Sequence, residues 1–321
     1  MTVSVRVPAS SANLGPGFDA LGLALALYDE VTATVTTGPT RVRVHGEGAG
    51  ELATDERHLV VQAVRAAFAA VDREPPTLAV TCRNRIPQAR GLGSSSAAIV
   101  AGVLLARELL RAARDPAADR LDDATVLNLA ARLEGHPDNV APCLLGGFTI
   151  AWQEQGRARA VRLEPAPTLQ PVVFVPQRQG LTADARALLP ERVPHADAAH
   201  AAGRAALLVS ALTGAPELLL AATEDRLHQP YRAAGAPETA ELVTRLRQAG
   251  VAAVVSGAGP TVLALVTVGT EVPEQPGWMR HTLTVDSLGA QAWQGTMEAY
   301  TGDCQLTRRG GPVLPQVGRV V

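Results

Sequence analysis

The sequence predicts an α+β protein built in two halves, and three observations carry that reading. Strand-like segments group at the start and helical patterns group later, without the strict strand–helix alternation of a doubly wound sheet. Prolines at 165, 167 and 171 in "RLEPAPTLQP" mark a change of composition. The 321 residues leave material for two cores, and no internal repeat is present. The first half is therefore placed at 1–164 and the second at 165–291, with 292–321 as an extension of uncertain structure.

In the first half, "VSVRVP", "DEVTATVT" from Asp29, "RVRVH" from Arg41 and "TLAVTC" ending at Cys82 alternate as half-buried strands do. Apolar residues at helical spacing predict helices at 57–71, 94–114 and 123–133, the last two separated by the polar loop "RDPAADRLD". "GGFTIAW", 146–152, reads as a further strand. In the second half, "VVFVP", "VAAVV" and "TVLALVTV" are predicted strands, and 183–189, 197–212, 216–226 and 238–248 are predicted helices. The Gly/Pro-punctuated tail from Ala292 has weak periodicity.

Hydrophobic residues make up 47% and charged residues 19%, with a net charge of -2, so there is no electrostatic footprint for nucleic acid. No apolar stretch is long enough for a membrane span, and the N-terminus lacks a basic-then-apolar leader, so a cytoplasmic protein is expected. Cys82, Cys143 and Cys304 have neither metal-ligand spacing nor an even count, and are read as thiols in a reducing compartment. All 29 basic residues are arginine. A phosphate grip must then come from backbone amides, hydroxyls, a metal ion or arginine.

Four stretches carry unusual residue choices. "RGLGSSSAA", Arg90 to Ala98, places two glycines and three serines before a run of small helix formers. That junction suits a helix N-terminus whose amides and dipole hold an anion, although a simple helix cap would use the same residues. Neither the Walker A nor the G-x-G-x-x-G spacing is present. "PASSANLGPGFDALG", Pro8 to Gly22, has Asn13 and Asp19 in a glycine-rich turn. "EGHPDNVAP", Glu134 to Pro142, crowds Glu134, His136, Asp138 and Asn139 at a helix end, where capping alone needs only the glycine and proline. "VVSGAGPTVLAL", from Val254, reads as a strand, a glycine loop and a strand: an ordinary hairpin, or a close approach to a ligand. His195 and His200 have no evident third metal ligand, and Trp152, Trp278 and Trp293 are read as packing residues.

Taken in order, these four motifs resemble those of the GHMP kinases, and the first and third in chain order resemble the homoserine-phosphorylating branch of that family. The resemblance spans about residues 3–290. It implies a two-domain α+β fold, with a ribosomal-S5-like N-terminal ATP-binding domain, a ferredoxin-like C-terminal domain completing the substrate site, and an active site between them. It also implies ATP-dependent phosphorylation of the L-homoserine hydroxyl, in threonine biosynthesis, with ATP as co-substrate and Mg2+ as cofactor. Members are often dimers, so a homodimer enters as an expectation.

By the same resemblance, the ATP phosphates lie on Pro87, Gln88, Ala89, Arg90, Gly91, Leu92, Gly93, Ser94, Ser95, Ser96 and Ala97. Mg2+ is assigned to Ser95, or a neighbouring loop serine, and to Glu134. Homoserine presents a carboxylate, an ammonium and a hydroxyl. Asp19 is expected to pair with the ammonium and Asn13 to position the hydroxyl, while His136 and Asp138 line the pocket. Arg186 and Arg232 are expected at the carboxylate, with Thr182 and Gly257 nearby. Asn13 and Glu134 are the residues expected to serve catalysis. Without a lysine the chain cannot build a lysine–aspartate base pair, so direct in-line attack is expected. Two other readings stand beside this one: another GHMP-type alcohol kinase, and a nucleotide-binding paralogue without turnover.

Overall fold

The computed structural model describes residues 1–296 and 319–321; most of the predicted extension, with Cys304, lies outside the described residues. The first sheet comprises β1 (Thr2–Ala12), β2 (Leu21–Val35), β3 (Arg41–Gly46), β4 (Leu78–Asn84), β5 (Phe148–Glu154), β6 (Arg157–Leu163), and two late arrivals, β11 (Gln291–Gln294) and β12 (Arg319–Val320). Its order is β11-β1-β2-β5-β6-β12, with β4 also on β2 and β3 parallel to β4. Against it pack α1 (Leu59–Ala70), α2 (Ser94–Ala112), α3 (Asp123–Glu134) and α4 (Val140–Leu145). The chain thus returns to its N-terminal sheet at 291, where the sequence placed the end of the second half.

The second sheet has the order β10-β7-β9-β8, from β7 (Leu169–Pro176), β8 (Ala252–Val255), β9 (Val262–Thr267) and β10 (Trp278–Thr282). Helices α5 (Thr182–Ala187), α6 (His195–Thr213), α7 (Leu219–Ala222), α8 (Gln229–Arg232) and α9 (Pro237–Gln248) intervene. Val172 and Phe174 of β7 face Leu242 and Leu246 of α9, while Val173 and Val175 face the main core with Leu208 and Leu212 of α6. Burial on both faces is the reason "VVFVP" reads as a continuous apolar run rather than an alternation. No helix among the described residues is long and apolar enough to cross a membrane.

Three local expectations are corrected. The first strand does not stop at Pro8 but continues through Ser10 and Ser11, which are fully buried, with a register shift at Pro8/Ala9. Their small side chains fit beneath the loop that precedes α2, and the Ser10 amide donates to the Leu92 carbonyl at 3.1 Å. The predicted helix 216–226 breaks after Ala222, because the Asp225 carboxylate accepts from the Leu227 and Gln229 amides at 2.7 and 2.8 Å and starts α8 instead. The "HPDNVAP" segment contains a helix of its own, α4, which its two prolines concealed.

Asp29, on β2, accepts from the Arg85 and Ile86 amides at 2.7 and 2.9 Å and so fixes the approach to the glycine loop. Burial pushes its carboxyl up to about 6, against the lowering effect of those two donors. A folded-state value above the ordinary 3.8 means that the native state holds the proton more tightly. The associated stability is therefore full below about pH 4 and is lost as pH rises through about 6, with an amplitude of about 3 kcal/mol. Asp29→Asn keeps the acceptor and cannot ionise. Urea unfolding of both proteins between about pH 4.5 and 8 should show the variant gaining on the parent as pH rises; a pH-independent difference would remove this account.

Candidate active site

A cavity of about 410 Å3 lies between the halves, and its walls carry Asn13, Asp19, the glycine loop, Glu134, His136, Asp138, Thr182, Arg186, Arg232 and Gly257. Most of the sequence-predicted residues therefore converge on one cleft, whereas Pro87, Leu92 and Ser96 are buried behind it and are not part of its wall. Gly91 and Gly93 have φ of 77° and 71°, in the left-handed region that favours glycine. A Cβ on Gly91 would sit 2.3 Å from the Ser256 carbonyl, and one on Gly93 would sit 2.1 Å from Ser10 Oγ. Space as well as backbone conformation thus demands glycine at both positions. Gly93 is the N-cap of α2, so the first amides of that helix lack intrahelical partners and open toward the cleft.

The loop is clamped from the other half. Ser256 Oγ donates to the Gly91 carbonyl at 2.6 Å and accepts from Ser11 Oγ at 2.8 Å, and the Gly257 amide donates to the Ala12 carbonyl at 3.1 Å. Arg90 donates through Nε to the Pro176 carbonyl at 3.0 Å and through its two terminal nitrogens to the Gln88 and Gln177 carbonyls, each at 2.9 Å. Its guanidinium is thereby occupied in tying the loop to the end of β7. The anion donors the loop has left to offer are its amides and hydroxyls.

Helix α3 ends at Glu134, with Gly135 at φ 96° as its left-handed cap. Glu134 Oε1 accepts from Ser95 Oγ at 2.6 Å and from Ser96 Oγ at 2.9 Å. Hydroxyl and carboxylate oxygens at a helix N-terminus form a hard donor set of the kind Mg2+ takes, the remaining positions being filled by phosphate and water. Among the described residues no group of three or more His, Cys, Asp or Glu is arranged to hold a metal ion. The next turn holds His136 Nδ1 2.5 Å from Asp138 Oδ1. Burial lowers the His136 pKa, but the Asp138 hydrogen bond and charge, with Glu134, outweigh it, and the net shift is upward.

Asn13, with φ 68°, accepts the Asp19 amide on Oδ1 at 2.9 Å and donates Nδ2 to the Gly257 carbonyl at 2.9 Å. Asp19 and Arg186 pair with each other, Oδ1 and Oδ2 accepting from the two guanidinium termini at 2.6 and 3.0 Å. Arg232 is buried and reaches the cleft from α8.

Phe18, His228, Ser10 and Ser256 escaped sequence reasoning, and Asn139 was singled out there without a role. The Phe18 ring lies 5.6 Å from the Arg186 guanidinium carbon and 5.3 Å from that of Arg232. Asn139 Oδ1 accepts from Ser10 Oγ at 2.9 Å beside Gly93. Phe18, Ser10 and Ser256 sat inside motifs already singled out, so proximity in sequence was the available signal; His228 lay outside all four. At another part of the wall, His58 caps α1 by accepting the Val60 amide on Nδ1, leaving Nε2 buried without a partner among the described residues.

Comparison with known proteins agrees with this architecture. Residues 58–147 match the GHMP kinases N terminal domain and residues 204–273 match the GHMP kinases C terminal domain. The homoserine kinase of Streptomyces coelicolor is 56% identical over 292 residues, covering 90% of this chain and 93% of that relative. The homoserine kinase of Mycolicibacterium smegmatis is 49% identical over 268 residues, covering 81% and 83% of the two chains. Among solved structures, homoserine kinase from Cytophaga hutchinsonii superposes with a TM-score of 0.75 at 25% identity, over 91% of this chain and 97% of that one.

Proposed function

Because the chain belongs to the homoserine kinases of the GHMP kinase family, we infer that it transfers the γ-phosphoryl group of ATP to the hydroxyl of L-homoserine, giving O-phospho-L-homoserine and ADP for threonine biosynthesis. The observation that carries the substrate assignment is the Asp19–Arg186 ion pair at the cleft wall, with Arg232 beside it. An amino acid is a zwitterion, so its ammonium and carboxylate replace the two halves of that pair charge for charge. Both side chains are more than a third exposed. A pair in that setting is worth only about 0–1 kcal/mol, less than the roughly 1.5–3 kcal/mol of a charged hydrogen bond to a ligand. Exchange is therefore favourable for a zwitterion and leaves one charge unanswered for a substrate carrying only one.

Asp19 takes the ammonium; Arg186 and Arg232 take the carboxylate, with Thr182, Gly257, His136 and Asp138 around it. Asn13 orients the hydroxyl toward the glycine loop, and attack proceeds in line without a lysine–aspartate base. The amides of α2 and the loop serines hold the triphosphate. Ser95 and Glu134 would hold Mg2+, which when bound neutralises charge on the transferring phosphates.

The test is ADP release with Mg-ATP and L-homoserine, beside L-serine, L-threonine, mevalonate, γ-hydroxybutyrate and the amino alcohol that lacks the carboxylate. Homoserine should lead every alternative, and each singly charged analogue should lose at least about a hundredfold in kcat/KM. Absence of homoserine-dependent release would overturn the function. Equal turnover of γ-hydroxybutyrate would overturn the exchange of ion pairs.

A further inference from the structure

We propose that His228, which lies behind Arg232 and touches no substrate, is a positioning residue that aims the Arg232 guanidinium at the homoserine carboxylate. The inference rests on the reading of Arg232 as a carboxylate partner.

His228 is fully buried. Its Nδ1 lies 3.1 Å from the NH1 nitrogen of Arg232, and Nε2 lies 2.9 Å from the Gly15 carbonyl and 3.4 Å from Asp225 Oδ2. A guanidinium has only donors, so Nδ1 must accept. The proton then sits on Nε2 and donates to Gly15, and the imidazole is neutral. Burial lowers its pKa and the charge of Arg232 adds to that, against Asp225. The same residue binds Arg232 twice, since its carbonyl accepts the Arg232 amide at 3.1 Å across the single turn of α8.

The remaining contacts occupy Nε and NH1 of Arg232. Nε donates to the Ala185 carbonyl at 3.2 Å, and NH1 also reaches the Gly257 carbonyl at a long 3.4 Å. NH2 makes no hydrogen bond among the described residues, while Arg232 lines the cleft. Phe18 supports both partners: its ring centroid is 5.1 Å from that of His228 and 5.3 Å from the Arg232 guanidinium carbon. His228 therefore joins α8 to the N-terminal turn through Gly15 and Phe18, and hands Arg232 to the cleft at a set angle. Without the Nδ1 acceptor, a long side chain facing the like charge of Arg186 is held only by the 3.2 Å bond to Ala185, the long contact to Gly257 and the Phe18 ring, and that angle loosens.

Two amides separate positioning from packing. An asparagine side chain at this position places an acceptor near the site of Nδ1, whereas the longer glutamine places its amide near Nε2 and supplies nothing to Arg232. His228→Gln should raise KM for homoserine by about tenfold or more, with kcat and KM for ATP moved far less, and His228→Asn should restore KM to within about threefold of the parent. In an Arg232→Gln background, His228→Gln should add little further. An unchanged homoserine KM in His228→Gln, equal changes in the ATP and homoserine constants, or an undiminished effect in the Arg232→Gln background would each overturn the proposal. A parent enzyme with no homoserine-dependent turnover would instead overturn the functional reading on which it rests. Should the glutamine variant fail to fold, the imidazole nitrogen shifts of the parent protein decide: a bare Nδ1 and protonated Nε2 support the proposal, and a protonated Nδ1 overturns it.

Discussion

Glu134→Gln should lower kcat by about a thousandfold and raise the Mg2+ concentration needed for half-maximal activity, while leaving the melting temperature nearly unchanged. Glutamine keeps an acceptor for Ser95 and Ser96, which donate to Oε1 at 2.6 and 2.9 Å, and removes the charge alone. The local fold is supported elsewhere, by the left-handed cap at Gly135 and by α3 behind it. A loss of turnover in a folded protein would therefore report the missing charge beside the phosphates. Kinetics across a Mg2+ titration provide the check, and a variant as active as the parent at every Mg2+ concentration would remove Glu134 from the metal's shell.

Asn13→Ala should reduce turnover by about a hundredfold or more while ATP affinity shifts by less than about threefold. The Asn13 amide spans the cleft floor from the Asp19 amide to the Gly257 carbonyl and is almost wholly buried. Its loss releases the turn carrying the ammonium partner as well as the group assigned to the hydroxyl. Alanine also has to adopt φ 68°, a strain of about 1–2 kcal/mol. Asn13→Gly removes the amide without that strain and should lose turnover to a similar degree; activity retained in the glycine variant would mean that the alanine had acted through the backbone. ATP binding by calorimetry separates both from damage to the glycine loop.

Much of the site was legible before any coordinates, wherever the constraint was local. Gly91 and Gly93 announced a turn with positive φ ahead of a helix, and the turn is there. Glu134 and Gly135 announced a helix end, and it lies where the pattern put it. The hairpin of β8 and β9 around the "SGAGP" loop was equally plain from two apolar runs on either side of a glycine loop. The break of the 216–226 segment was not, because helix propensity there is good and only the way the Asp225 carboxylate collects amides ahead of α8 ends the helix. Nor could spacing reveal that the first strand runs on through two buried serines, whose burial depends on a loop some eighty residues later.

The sequence by itself determined the longer helices and most of the strands, the glycine loop and the residue types a zwitterion and a triphosphate require. Each of these follows from backbone preference or side-chain chemistry acting over a few residues. Tertiary structure alone decided which group answers which. It turned Arg90 away from the loop's ligands onto the carbonyls of Pro176 and Gln177, paired Asp19 with Arg186, set Phe18 between two guanidinium groups, and put His228 behind Arg232. All but the last of those contacts join segments far apart in the chain. Their partners are chosen by the packing of one half against the other, where a buried donor must find whichever acceptor the fold brings within about 3 Å.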